Sequence, residues 1–251
     1  MHAALLGLSL CLFASTANAD DNWNAVKSQL IADNPTVDLS GIPYANNALD
    51  LRSTSVSDIS ALSGLTALEV LDLRNTQVSD ISAVNGLTTL TTLSLSFTEL
   101  NDVNALSGLT ALEVLDLRST EVSDISVLSG LTTLEKLYLG HTEVSDISML
   151  SGLTELTTLS LAGTPLNDVS TLNGLTTLTT LSLSLTEFSD VSVLSGLTAL
   201  EVLDLESTRV SDISALSGLT SLKTLYLGGT QVYDVSAIQH MIDRGLEIID
   251  E

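Results

Sequence analysis

An aspartate that recurs every 22 residues is the most regular feature of the sequence that could do chemistry. Each stands directly before an Ile-Ser, Val-Ser or Val-Asn pair, where a carboxylate can accept amide hydrogen bonds and cap the following turn. A calcium ladder is the alternative, but calcium takes roughly six to eight oxygen ligands, and the D-x-D and G-x-D spacings of calcium repeats are missing. We therefore interpret the column as structural, with no metal and no cofactor. Its members are Asp58, Asp80, Asp102, Asp124, Asp146, Asp168, Asp190, Asp212 and Asp234.

A catalytic triad is the second chemistry that the residue types suggest. Asp116, Ser119 and His141 fall on neighbouring repeats, but nothing implies an oxyanion donor or an enclosed pocket around them. The sequence has no H-E-x-x-H, G-x-S-x-G, phosphate-loop or dinucleotide fingerprint, and His141 and His240 do not form a metal cluster. We therefore predict no catalytic residues and no enzymatic activity.

The elements that position these residues follow from a repeat of 22 residues without insertions. In one copy, Leu71-x-Leu73 alternates like a short strand with one buried face. From Ile81 the apolar spacing becomes three, which is typical of a 3₁₀ turn. The copies, here called units 1 to 9, begin at Leu49, Leu71, Leu93, Leu115, Leu137, Leu159, Leu181, Leu203 and Leu225.

One unit buries too little apolar surface to offset the entropy of ordering its chain. Stacking buries both sides of every coil and pairs the strands in parallel. The sequence therefore predicts an α/β solenoid of nine coils with one parallel sheet.

The unit resembles a known repeat family. Leu68-x-x-Leu71-x-Leu73-x-x-Thr76-x-Val78 is similar to the leucine-rich repeat pattern L-x-x-L-x-L-x-x-N-x-L. The length and the D-I-S-x-L-x-x-L half resemble the internalin and phosphatase-regulator subclass, of bacterial secreted type. The resemblance implies a curved solenoid with the sheet on the concave face, 3₁₀ or irregular turns on the convex face, and varied binding partners. The usual asparagine is replaced in all units, by Thr54, Thr76, Thr98, Thr120, Thr142, Thr164, Thr186, Thr208 and Thr230.

Strand positions that point away from the core vary, whereas the core columns do not. Such variation is expected where one face is free to serve a ligand, and aromatic side chains on a rigid face favour contact with a partner. Two alternatives stay open: that Arg52, Arg74 and Arg118 only offset stacked aspartates, and that Phe97, Tyr138, His141 and Leu185 are scattered surface residues. The predicted partner-binding residues of the concave face are Arg74, Phe97, Arg118, Tyr138, His141 and Tyr226.

The segments outside the repeat predict a leader and two caps. Residues 1–19 resemble a signal peptide, with an apolar run at 4–15 and Ala17-Asn18-Ala19 before the cleavage point. Residues 20–48 form the N-terminal cap, with a helix from Trp23 to Ile31 whose Trp23 or Ile31 covers Leu49 and Leu51. The solenoid spans 49–235. Residues 236–251 form the C-terminal cap, with a helix from Ser236 to Arg244, Gly245 as its C-cap and a final short strand at 246–249.

Composition limits the function. The net charge is -23, from 31 acidic and 8 basic residues, which argues against nucleic acids and anionic lipids. No second apolar stretch reaches about 18 residues, so we expect no integral membrane anchor. The one cysteine, Cys11, lies in the predicted leader, so the mature chain has no thiol.

We expect a monomeric, non-enzymatic binding module, secreted or at the periplasm or cell surface, that recognises a protein or glycan through its concave face. The alternative is a structural or adhesive repeat protein without a discrete site. Ion-dependent stabilisation, ice binding through the regular threonines and, if residues 1–19 are retained, an intracellular phosphatase regulator are further alternatives.

Overall fold

The computed structural model describes residues 23–166 and 168–250; the predicted signal peptide, 1–19, lies outside them. Its strands form one sheet of eleven in strict sequence order. They are β1 (Tyr44–Ala45), β2 (Ala48–Asp50), β3 (Val70–Asp72), β4 (Thr92–Ser94), β5 (Val114–Asp116), β6 (Lys136–Tyr138), β7 (Thr158–Ser160), β8 (Thr180–Ser182), β9 (Val202–Asp204), β10 (Thr224–Tyr226) and β11 (Glu247–Ile249).

The period of 22 residues sets the register of the sheet. Leu71 pairs with Leu93 and Leu115 with Leu137, so each repeat position meets its own copy on the next strand. From β2 to β11 every pairing is parallel, and only β1 runs antiparallel, to β2. Equal positions therefore stack into columns across the whole sheet.

A 3₁₀ helix follows each strand of the repeat, as the spacing of three predicts. These helices are Ser60–Gly64, Ser82–Gly86, Asn104–Gly108, Ser126–Gly130, Ser148–Gly152, Ser170–Gly174, Val191–Leu194, Ser214–Gly218 and Ser236–Ile238. The apolar columns of strand and turn close on each other; in unit 5, for example, Leu137, Leu139, Val144, Ile147 and Leu150 are fully buried. The predicted leucine-rich repeat solenoid is confirmed.

Threonine takes over the turn that asparagine fills in the usual repeat pattern. In eight units its hydroxyl donates to the carbonyl of the leucine three residues earlier, at 2.5–2.7 Å. In the ninth, Thr230 Oγ1 instead accepts the amide of Val232 at 3.4 Å. The hydroxyl therefore satisfies at least one backbone group of the turn in each unit.

Helix α1 (Trp23–Asp33) lies over the first coil. It buries Val26 and Leu30, while Trp23 stacks on Tyr44 with ring centroids 5.1 Å apart. The expectation that Ile31 could cover the core is wrong: Ile31 is exposed because it follows Leu30 by one residue, about 100° around the helix.

Asn34 ties this helix to unit 1. Its buried amide donates to the carbonyls of Leu30 and Asp58 at 2.9 and 2.7 Å. Its carbonyl oxygen accepts the amides of Ser57 and Asp58 at 3.0 and 3.1 Å. The side chain thereby supplies backbone partners that a preceding coil would otherwise provide.

The C-terminal end is less helical than the sequence predicts. The 3₁₀ helix Ser236–Ile238 passes into α2 (Gln239–Ile242), which is shorter than the expected helix to Arg244. Gly245 then has a φ of 105°, which reverses the chain into β11 beside β10. In the part of the chain that the structure describes, no helix is both long and apolar enough to cross a bilayer.

Candidate interaction surface

The outward position that ends each strand is buried in most units, although the sequence predicts an exposed column there. Asp116 is 0% exposed and Tyr138 only 4%, and Tyr226 is also buried. At Tyr138 the neighbouring coil contributes to the burial, because the guanidinium carbon of Arg118 lies 5.1 Å from the centre of the ring. The expectation that Tyr138 is an exposed aromatic is therefore wrong.

The arginines of the concave face are bound within the chain. Arg118 Nε and Nη2 donate to the two carboxylate oxygens of Asp116 at 2.9 and 2.7 Å. Arg74 binds Asp72 through the same pair of nitrogens, and Arg52 Nε lies 3.1 Å from Asp50. The hydrogen bond to Asp116 raises the pKa of Arg118, against the lowering effect of burial. These side chains therefore neutralise the buried Asp72 and Asp116 and the partly buried Asp50, as the intramolecular alternative predicts.

A left-handed backbone position follows each of these strands. All nine residues there have φ between 54° and 71°, a region that costs an ordinary side chain about 1–2 kcal/mol. Six units use serine, asparagine or glycine, and three carry large side chains. This left-handed column consists of Ser53, Asn75, Phe97, Ser119, His141, Gly163, Leu185, Ser207 and Gly229.

The three large residues of this column, Phe97, His141 and Leu185, are here called the left-handed ridge. Phe97 is 62% exposed and Leu185 56%, and His141 is exposed as well. They occupy alternate units, so neighbours lie about 10 Å apart along the sheet edge. The ridge therefore presents two apolar side chains and an imidazole to solvent in a line of about 20 Å.

Gly163 makes room for the imidazole of the ridge. A Cβ added at Gly163 would lie 2.6 Å from Nδ1 of His141, so any other residue there would displace the ring. The neighbouring strand positions are small too, with Gly140, Ala162 and Ser184 beside the ridge. The ridge therefore borders a part of the concave face that carries only small side chains.

Sequence reasoning missed the left-handed conformation of this column. It named Phe97 and His141 as partner-binding residues, and Leu185 as a surface candidate, from their residue types and outward positions, without the backbone conformation that holds them there. The signal that was present is the repeated use of glycine and asparagine at one position, as at Asn75, Gly163 and Gly229, since these residues tolerate positive φ.

The aspartate column lies on the turns and is occupied by backbone. In all nine units the carboxylate accepts the amide two residues later, at 2.7–2.9 Å. The hydrogen bond from the Ser148 amide lowers the pKa of Asp146, against the smaller opposing effects of burial, Asp168 and Asp124. Within residues 23–166 and 168–250, no cluster of His, Cys, Asp and Glu is arranged to hold a metal ion.

The residues of the possible triad are not assembled for catalysis. The Asp116 carboxylate is enclosed and paired with Arg118. Among the described residues, no hydrogen bond joins the side chains of Ser119 and His141; only their backbone amides bond to the next strand. These three residues fall on neighbouring units because of the 22-residue period, and not because they form a catalytic group.

Comparison with known proteins places the repeat. The family described as Leucine Rich repeats (2 copies) matches residues 48–86, 88–130, 132–175 and 198–240. The chain belongs to the leucine-rich repeat family. Proteins with this repeat generally bind other proteins. A search of curated proteins finds no match.

Solved structures of leucine-rich repeat proteins share the fold. An internalin (inlF) of Listeria monocytogenes is 26% identical, with a TM-score of 0.69 over 89% of this chain and 68% of the internalin. Internalin C2 of the same species is 29% identical, with a TM-score of 0.60 over 82% and 80%. A repeat protein of Leptospira interrogans, 23% identical with a TM-score of 0.74 over 80% and 54%, shows the fold alone.

Proposed function

We propose that this leucine-rich repeat protein is a non-enzymatic, exported binding module that recognises a protein or glycan partner through its concave side. We also assign it to the internalin-like subclass of bacterial secreted type. The observation that carries the proposal is the left-handed ridge of Phe97, His141 and Leu185, which combines a costly backbone position with exposed side chains.

Neither property of the ridge helps the free protein. A bulky residue in the left-handed region is strained; three of the nine units ease that strain with glycine or asparagine, and three more carry only a serine there. Exposed Phe97 and Leu185 gain nothing from the core. Contact with a partner turns both into an advantage, because the apolar area then becomes buried and the rigid backbone costs little entropy on binding.

The other predicted binding residues contribute in two ways. Arg74 and Arg118 keep part of their surface in solvent while paired with aspartates, so they add hydrogen-bond donors without net charge. The Tyr138 ring lies against the guanidinium of Arg118, so it contributes to binding by holding that side chain in place. Phe97 of the ridge favours a protein partner over a glycan, since aromatic residues are enriched in the buried centre of protein interfaces.

The test replaces the ridge by a residue that its own column already contains. The ridge variant is Phe97→Asn/His141→Asn/Leu185→Asn, which copies the residue type of Asn75 into three further units. Proteins that bind wild type are recovered by affinity capture and compared quantitatively with those that bind the variant. The matched control is Tyr233→Asn, which removes an aromatic that is 94% exposed at a position where other units carry Ser or Asn.

Loss of specific partners with the ridge variant and their retention with Tyr233→Asn is the expected result. Equal recovery by both variants would refute the concave-side site and favour a structural or adhesive repeat without a discrete site.

Export is tested separately, by sequencing the N-terminus of the mature protein. Cleavage after residue 19 gives Asp20 as the first residue. An intact Met1 would refute export and favour an intracellular role.

A further inference from the structure

Two parts of the concave face carry the same aspartate and tyrosine but differ in the residue between them. In units 4 and 5, Asp116 pairs in register with Tyr138. Arg118 completes the group: its guanidinium binds both oxygens of Asp116 and lies over the Tyr138 ring. Asp116 and Tyr138 thus form a binding site for a guanidinium group, and Arg118 of the same chain occupies it.

Units 8 and 9 repeat this arrangement without the arginine. Asp204 pairs in register with Tyr226, as Asp116 does with Tyr138. The backbone amide of Glu206 donates to Asp204 Oδ1 at 3.0 Å, as the amide of Arg118 does to Asp116 Oδ1 at 3.1 Å. The local backbone is therefore the same, but a carboxylate stands where the arginine stood.

The negative charge of this group is not compensated. Among the described residues, neither Asp204 nor Glu206 forms an ion pair; Asp204 Oδ2 accepts only the hydroxyl of Ser182, at 2.7 Å. Burial raises the pKa of Tyr226, and Asp204, Glu247 and Glu206 raise it further. At Tyr138 burial raises the pKa while Arg118 lowers it. Tyr226 thus has only acidic neighbours among the charged groups that shift its pKa, whereas Tyr138 has both Arg118 and Asp116.

We propose that Asp204, Glu206 and Tyr226 form a site for the guanidinium of an arginine side chain supplied by a partner polypeptide. Arginine matches the group because its planar fork binds a carboxylate through two nitrogens and stacks on an aromatic ring. Units 4 and 5 present the same contacts within this chain. The site deepens the proposed function and rests on it for its biological partner.

The position and charge of the site fit this occupant. Asp204 and Glu206 are only partly buried, and Tyr226 keeps 9% of its surface exposed beside them. Exposed Leu185 of the ridge is joined to Glu206 by a backbone hydrogen bond of 2.9 Å. An arginine bound here therefore lies next to the apolar contact of the ridge. The net charge of -23 attracts a cationic segment.

The binding test uses small amides, so that it does not depend on the identity of the partner. The ¹H–¹⁵N spectrum of the purified protein is titrated with argininamide, with lysinamide, and with citrullinamide, which keeps the α-amino group but has an uncharged side chain. Argininamide should shift the amides of Tyr226 and Gly228 saturably, lysinamide more weakly, and citrullinamide not at all. Absence of a saturable shift with argininamide, or equal shifts with all three, would overturn the proposal.

Substitution supplies the second arm. Glu206→Arg places an arginine where unit 4 has Arg118, and it should abolish the argininamide shift. Glu143→Arg makes the same change of charge at a distant exposed residue, and it should retain the shift. Tyr226→Leu removes the ring and should weaken the shift even if Glu206→Arg folds poorly. Retention of the full shift in both site variants would also overturn the proposal.

The two proposals fail separately. A ridge variant that loses its partners but still binds argininamide supports both. Wild type that recovers ridge-dependent partners but does not bind argininamide refutes the arginine site alone.

Discussion

The interior columns and the left-handed column recur with the same period but tolerate different residues. Leucine fills the interior position of Leu139 in every unit, and each copy is buried. The left-handed column imposes one backbone conformation but leaves the side chain in solvent, so it accepts serine, glycine, phenylalanine and leucine. Packing thus fixes the residue type of the interior columns, whereas only backbone strain restricts the residue type of the left-handed column. The large residues of that column are therefore explained by binding and not by folding.

The interior side of this comparison predicts the largest effect. Leu139→Ala should lower the free energy of unfolding by about 2–5 kcal/mol, because the cavity is shared by coils on both sides. Urea melts measure the loss. A decrease below about 1 kcal/mol would mean that the coils collapse around the gap and that the interior is less constrained than we argue.

Asn34, at the N-terminal end, tests whether a buried polar residue is as tightly constrained as the interior leucines. Asn34→Ala should lower the free energy of unfolding by about 2–3 kcal/mol, because four side-chain hydrogen bonds, three of them to unit 1, are lost in a buried setting. Asn24→Ala, at an exposed position of α1, is the control for replacing an asparagine by alanine. Equal urea midpoints for the two variants would contradict the role of Asn34.

The left-handed column predicts a gain in stability. Leu185→Asn should raise the free energy of unfolding by about 1 kcal/mol, because asparagine tolerates positive φ better than leucine does. Tyr233→Asn removes exposed apolar area outside this column and should change the urea midpoint little. A lower midpoint for Leu185→Asn would show that Leu185 packs on the fold and is not strained.

The aspartate column predicts the smallest effect, which depends on pH. Turn hydrogen bonds lower the pKa of Asp146 in the folded state from its ordinary value of 3.8. Its contribution is therefore fully present above pH 3.8 and is lost as the pH falls through the folded pKa.

Asp146→Asn retains a capping oxygen but does not titrate, so its urea midpoint should fall less steeply than that of wild type between about pH 5 and pH 2. Parallel pH profiles for the two proteins would contradict the capping account. At neutral pH, Asp146→Ala should cost less than Leu139→Ala, and less at low than at high salt, because it also relieves repulsion from Asp124 and Asp168.

Sequence reasoning reached the features that periodicity encodes. The spacing of Leu71, Leu73 and Ile81 predicts strand, turn and core, and a period without insertions predicts the register. It missed features that depend on contacts between coils or on a dihedral angle. Arg118 buries Tyr138 from the adjacent strand, and the positive φ at Phe97 leaves no apolar pattern behind it.

The measurement that tests the central claim most directly combines stability and binding in the ridge variant, Phe97→Asn/His141→Asn/Leu185→Asn. Urea melts give its free energy of unfolding, and titration with a partner recovered by wild type gives its affinity. We predict a variant that is more stable than wild type and no longer binds that partner, as expected when strained residues serve function. Undiminished affinity, or a ridge variant less stable than wild type, would contradict the claim.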